Sequence, residues 1–127
     1  MMRRTVWKLV TAAMALAFAL AGASASKPDA DVGRALFERR CTGCHALDGL
    51  KAGPPLRGVF GKPVARNPRY PYSDALKNAR FSWDEATLDR WLTDPDAIVP
   101  GNDMSFRLDN SAERADIIAY LKQLGDK

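Results

Sequence analysis

Apolar residues recur with a helical period at three places in this chain, and no segment shows convincing strand alternation. From Asp31 to Arg40, Val32, Leu36 and Phe37 fall at i, i+4 and i+5, on a helix that Asp29 or Asp31 can cap. A second stripe, Leu88, Trp91 and Leu92, follows Ser82-Trp83-Asp84-Glu85, whose Ser-to-Glu spacing is that of a capping box. Asp94-Pro95 ends it. The third stripe, Ile117, Ile118, Leu121 and Leu124, follows the similar start Asn110-Ser111-Ala112-Glu113 and runs into Gly125 as C-cap. A short fourth helix is predicted from Ser73 to Asn78. The pattern is that of an all-α domain.

Between the first helix and Ser73 the chain is irregular, punctuated by Gly53, Pro54, Pro55, Gly58, Gly61, Pro63, Pro68 and Pro71. A structureless stretch of that length is usually functional or disordered. Here it begins at Cys41-Thr42-Gly43-Cys44-His45, a C-x-x-C-H run. Two thiols three positions apart can each form a thioether to one vinyl group of a haem, and the next residue then offers an imidazole to the iron. His45 is thus placed as proximal axial ligand. A haem also gives the irregular stretch something to wrap around.

Other chemistries of the motif have fewer residues to work with. The 127 residues include two cysteines and one histidine, all in this pentapeptide. A zinc site needs a fourth ligand, and none remains unless a carboxylate or water serves. A redox dithiol would sit near a βαβ pattern, which is missing from the sequence. A disulfide between residues three apart would close too small a loop to stabilise much.

The first segment reads as an export signal. Arg3, Arg4 and Lys8 precede the apolar stretch Leu9 to Ala21, and Ala23-Ser24-Ala25 has the A-x-A form of a cleavage site, with cleavage expected after Ala25. The chain is therefore divided into a cleaved signal peptide, 1–25, and one domain, 26–127. A retained leader would make a membrane anchor, but the apolar run is short for a span of about 20 residues. The Arg3-Arg4 pair is weak evidence for a twin-arginine signal, because any export signal carries positive charge there. Export to a periplasm fits the motif, since the cysteines must be handled outside a reducing cytosol.

The leader also distorts the charge. The full chain has 19 basic and 15 acidic side chains, hence +4, but three of the basic groups belong to residues 1–25. The remainder is close to neutral, which removes the argument for a nucleic-acid partner. Its charge is polarised along the sequence: 11 basic and 5 acidic groups in residues 26–80, 5 and 10 in residues 81–127. Such asymmetry could steer docking or simply reflect two solvated faces.

Met104 is the one methionine after the leader, and it lies in the turn-rich Val99-Pro100-Gly101-Asn102-Asp103-Met104-Ser105-Phe106 rather than on a helical stripe. It is a candidate sixth ligand, with core filling as the alternative. No second histidine exists for a bis-histidine haem.

Taken in order, Gly33 and Phe37, Cys41–His45, Gly53-Pro54-Pro55-Leu56 with Gly58-Val59-Phe60-Gly61, Tyr72-Ser73-Asp74-Ala75, Trp83, Leu92 through Pro100-Gly101 to Met104, and Asp116-Ile117-Ile118-Ala119-Tyr120-Leu121 resemble a class I cytochrome c. The type resembled is bacterial and similar to mitochondrial cytochrome c, over nearly all of residues 31–124. The resemblance implies a single small domain, three main helices plus long loops wrapped around one covalent haem c, with Met104 as sixth ligand. It implies that Pro54 accepts the Nδ1–H of His45 and that Tyr72 and Trp83 donate to a propionate. Gly33, Phe37 and Tyr120 should lie where the first and last helices cross, and Trp91 should pack near Met104.

Two departures stand out. Lys62 occupies a position where the family commonly has an arginine near a propionate, and an ammonium does not reproduce the guanidinium fork. Asn102-Asp103 replaces a usual Thr-Lys, which puts a negative charge where relatives dock partners through lysine. The function implied is one-electron carriage in the periplasm by a monomer that is not an enzyme and takes no small-molecule substrate. Its partners would be a dehydrogenase, reductase or terminal oxidase met through a transient interface. The alternatives are a dedicated subunit of a dehydrogenase or oxidase complex, and a gas sensor or peroxidase-like enzyme with an open sixth site.

Overall fold

Each helix start in the described residues is set by a side-chain cap. A computed structural model describes residues 22 and 24–125, so the export leader assigned to 1–25 lies outside the described residues apart from Gly22, Ser24 and Ala25. Helix α1, Ala30–Arg40, starts on Asp29, whose carboxylate accepts the N–H groups of Asp31 and Val32. Helix α2, Asp74–Asn78, starts on Ser73, whose hydroxyl accepts from Leu76. Helices α3, Glu85–Thr93, and α4, Pro95–Ile98, are joined by Asp94 alone. Helix α5, Ser111–Leu124, starts on Asn110 and ends at Gly125, which takes a φ of 54°.

Three details differ from the sequence pattern. The capping box of α3 is built from Asp84 and Thr87, not Ser82 and Glu85. Residues 81–83 are held extended by a bridge between Pro63 and Ser82, so the helix cannot begin two residues earlier. Asp94-Pro95 not only ends α3 but starts α4: the Asp94 carboxylate accepts from Asp96, and proline fits a first turn where its missing N–H costs nothing. At α5 the Asn110 side chain caps Ala112 and Glu113, while the Glu113 carboxylate meets Arg40 at 3.4 Å.

The predicted stripes are largely the buried ones: Leu36 and Phe37 of α1, Leu88, Trp91 and Leu92 of α3, and Ile117, Ile118 and Leu121 of α5. Val32, 47% exposed, and Leu124, only partly buried, are the exceptions. Beside Val32, Gly33 takes the inward position, because α1 and α5 cross there with their backbones touching. A Cβ on Gly33 would stand 1.9 Å from the Asp116 carbonyl oxygen and 3.0 Å from the Cβ of Tyr120. The crossing is continued by the Phe37 and Tyr120 rings, 5.5 Å apart, and fastened by the Asp29 N–H donating to the Asp116 carboxylate at 2.8 Å.

Arg114 bolts α5 to α3 from within. Its guanidinium donates to Asp89 at 2.7 Å and to the carbonyls of Leu108 and Asp109 at 2.8 and 2.9 Å, which accounts for its burial. Among the described residues no helix is long and apolar enough to cross a membrane.

The obstacle facing a side chain at position 33 is backbone, which cannot swing aside. Gly33→Ala is therefore expected to destabilise the protein by about 2–3 kcal/mol, the upper part of the overpacking range. Denaturant unfolding of the two proteins, compared at equal slope, checks it.

Candidate cofactor site

The α1 C-terminus delivers the cysteine motif as a single tight turn. Cys41 is the C-cap of α1, its N–H donating to Phe37, and the N–H groups of Cys44 and His45 both return to the Cys41 carbonyl at 3.1 and 2.8 Å. The following loop folds back on this turn. Gly53 donates to the Cys44 carbonyl at 2.7 Å, and Leu56 and Arg57 donate to Ala46 and Leu47 at 3.0 Å each. The fold-back brings Pro54 beneath His45.

His45 Nδ1 lies 2.8 Å from the Pro54 carbonyl oxygen. A carbonyl can only accept, so Nδ1 carries the proton and Nε2 keeps its lone pair. Burial lowers the pKa of the ring below its ordinary value; the Pro54 bond works against this and nearby Lys51 with it. The imidazole is thus neutral at physiological pH, the state a ligand needs. Burial also pushes the Cys41 thiol up to about 11.

Gly53 is the residue that makes this geometry possible. A Cβ there would come within 2.3 Å of His45 Cε1 and 2.6 Å of Nδ1. The ring lies flat against a backbone with no side chain. The motif Gly53-Pro54 is visible in the sequence, but the need for glycine comes from contact with a ring eight residues away.

All of these groups face one cavity of about 590 Å³, within the roughly 300–1,000 Å³ range of cofactor sites. Cys41, Cys44, His45 and Pro54 line one side, and Tyr72, Trp83 and Met104 line it too, so the structure brings together all seven residues singled out from the sequence. Leu56, Val59, Leu88, Leu92, Ile117 and Leu121 make much of the remaining wall apolar.

Met104 is held by a contact that the sequence reading missed. The indole Nε1–H of Trp91 donates to its Sδ at 3.2 Å. Trp91 was expected only to pack. It does pack, edge-on to Trp83 with ring centroids 5.2 Å apart, but a buried indole N–H also needs an acceptor, and that need is the signal that points to Met104.

At the polar end, the Tyr72 hydroxyl accepts the Asn67 N–H at 3.3 Å, which leaves its own proton to donate elsewhere. Tyr70 closes the loop by donating to the Ala52 carbonyl, and its pKa is raised by burial first, then by Asp103 and Tyr72. Lys62 is not part of the cavity wall, whereas Arg66 and Arg69 are. Arg66 also reaches the Gly58 carbonyl at 3.5 Å, after Ala65 with its positive φ of 55°.

Known proteins resemble this chain over most of the described residues. The sequence model of the cytochrome c family matches residues 30–125. The chain belongs to the class I cytochrome c family. It is 44% identical over 98 residues to the cytochrome c-type cyt cy of Rhodobacter capsulatus, a match covering 76% of this chain and 49% of that protein. The chain thus spans about half the length of that relative. It is 43% identical over 95 residues to cytochrome c of Sesamum indicum, covering 72% of this chain and 86% of the plant protein. The solved structure of cytochrome cH from Methylobacterium extorquens superposes with a TM-score of 0.71 at 40% identity, covering 75% of this chain and 98% of that one. The all-α class I fold expected from the sequence is the fold observed.

Family membership implies a haem c, and the residues present fit one. The cavity has cofactor size, the histidine beside the cysteine pair is neutral with Nε2 unprotonated, and a thioether lies on the same cavity.

Gly53→Ala forces the imidazole away from Pro54. The expected outcome is a protein destabilised by about 1–3 kcal/mol with its His45 Nδ1–H resonance shifted or lost. NMR of that proton together with denaturant unfolding checks it.

Proposed function

We propose that this chain is a periplasmic one-electron carrier whose haem is bonded to Cys41 and Cys44, with His45 and Met104 as axial ligands. The observation that carries the reading is the single cavity lined by both cysteines, a histidine committed through Nδ1 to Pro54, and the thioether of Met104. Residues 26–127 form the carrier, and residues 1–25 are the cleaved export signal that takes the cysteines to an oxidising compartment.

Cys41 and Cys44 would hold the haem, each thiol placed to form a thioether with one vinyl group, so that the cofactor could not dissociate. The Pro54 carbonyl fixes the His45 ring and makes Nε2 a stronger donor. When bound, the haem iron supplies the chemistry by cycling between Fe(II) and Fe(III). Met104 presents a soft sulfur that favours the reduced metal and raises the potential. With both His45 and Met104 holding the iron, no position would be left for oxygen or a substrate, which would separate a carrier from a sensor or peroxidase. The apolar walls exclude water from the redox centre. Tyr72, with its hydroxyl proton available, and Trp83 are the proposed propionate donors. Electrons pass to and from other redox proteins through a small transient contact made by the monomer.

Visible spectra of the mature protein test the ligation. A low-spin c-type spectrum in both oxidation states, unchanged when carbon monoxide is added to the reduced protein, is expected; Met104→Ala should bind carbon monoxide. Rapid binding by the unsubstituted protein would remove the carrier reading in favour of a sensor or enzyme.

The Trp91 contact yields a second expectation. A hydrogen bond draws electron density from the thioether and so favours Fe(II) over Fe(III). Trp91→Phe keeps an aromatic ring, loses the donor, and should lower the midpoint potential by roughly 20–40 mV, the equivalent of ~0.5–1 kcal/mol. Equilibrium redox titration reads it directly.

A further inference from the structure

The segment carrying Met104 has no regular structure, yet the side chain two residues before the methionine fastens it three ways. Asn102 Oδ1 accepts the Met104 N–H at 2.7 Å. Its Nδ2 donates to the Val99 carbonyl at 2.9 Å and to Asp96 Oδ1 at 3.1 Å. These partners fix the amide orientation, since an N–H needs the oxygen while a carbonyl and a carboxylate need the nitrogen. Asp96 belongs to α4, and its other oxygen lies 3.7 Å from Arg107, which pairs with Asp94 at 2.8 Å. Met104 is therefore bracketed in sequence by Asn102 and Arg107, and both are tied to the same four-residue helix.

The two ties are unequal. Asp96 and Arg107 have side chains 60% and 53% exposed, and an ion pair so solvated contributes little. The Asn102 bonds to the Met104 and Val99 backbone are partly buried, and a backbone N–H with no other acceptor would be costly to leave unmade. No other side chain bonds the Met104 backbone among the contacts described.

We propose that Asn102 is a positioning residue that keeps the Met104 loop closed on α4 and so sets how readily another ligand replaces the thioether. The proposal rests on Met104 as axial ligand. An outside ligand reaches the sixth position only after the loop lifts, and lifting breaks the Asn102 bonds. Removing those bonds in advance lowers the cost of opening without touching iron, haem or sulfur.

The test uses the mature ferric holoprotein titrated with imidazole, alongside its methionine-to-iron(III) charge-transfer band. Asn102→Ala is expected to bind imidazole about tenfold more tightly than the unsubstituted protein, the equivalent of one lost net hydrogen bond. It should also lose the band at lower pH. Asn102→Ser, whose hydroxyl can still accept the Met104 N–H, should recover part of the difference. It carries the test by itself if the alanine variant does not accumulate. Asn110→Ala, which removes the α5 cap, serves as the control: it should lower global stability with imidazole affinity unchanged. Imidazole affinity within twofold of the unsubstituted protein in both Asn102 variants overturns the proposal, as does an equal rise in Asn110→Ala. Absence of the band in the unsubstituted protein would overturn the ligation reading itself, and the proposal with it.

Discussion

A cavity of about 590 Å³ occupies the place where a helical domain of this size would keep its core, and the rest of the fold is arranged as its wall. A domain of about 100 residues buries limited apolar area on its own. Much of what it does bury, including Phe37, Leu88, Leu92, Ile117 and Leu121, stands around that space. The α1–α5 crossing at Gly33 brings two helices together backbone to backbone with no cofactor between them. The long loop from Cys41 to Ser73 is different. Its order comes from turns, from fold-back bonds such as Gly53 to Cys44, and from the surface it lines. A flat cofactor bound there would give that loop a surface to pack against.

What could be read in the sequence, and what could not, follows the range of the interactions. Caps and stripes are local, and α1, α2 and α5 begin within a residue of where Asp29, Ser73 and Asn110 place them. The C-x-x-C-H run is local too, and all seven candidate residues reach one cavity. The differences arise where a distant segment decides. The α3 cap moves from Ser82 to Asp84 because Pro63 pairs with Ser82 from across the loop. Val32 turns outward because α5 presses on Gly33. Gly53 and Trp91 owe their roles to His45 and Met104, partners that helical spacing cannot pair.

Charge shows the same lesson. By count, residues 81–127 are strongly acidic, yet many of those acids have partners. Glu85 faces Lys122, Asp89 faces Arg114, Asp94 and Asp96 face Arg107, and Glu113 faces Arg40 of the basic half. In the basic half Arg57 is paired with Asp48 and Lys77 with Asp74. Exposed pairs of this kind add little stability, but they shorten the range of the field each charge produces. The pairs inside each half are already contained in its count, and of these pairs only Arg40–Glu113 joins the two, so the net asymmetry survives pairing while the charges nearest the cavity mouth weigh most. There Arg66 and Arg69 stand on the wall together with Asp103, so a partner meets both signs at close range.

The two sides of the cavity are secured by different means, and that asymmetry bears on function. On the cysteine side, His45 directly follows Cys44, Gly53 leaves room for its ring, and Pro54 fixes its orientation. Displacing that imidazole would mean moving a turn anchored on α1. On the other side Met104 sits in an irregular segment, held by the Trp91 N–H at its sulfur and by Asn102 at its backbone. Each of those bonds is worth about 1 kcal/mol net, far less than a covalent tether. Local opening is drawn from the least stable parts of a structure. With the ligation proposed for this chain, the closed state that excludes other ligands thus depends on a few hydrogen bonds around residues 99–107, and the methionine side decides whether the iron only passes electrons or also meets small molecules.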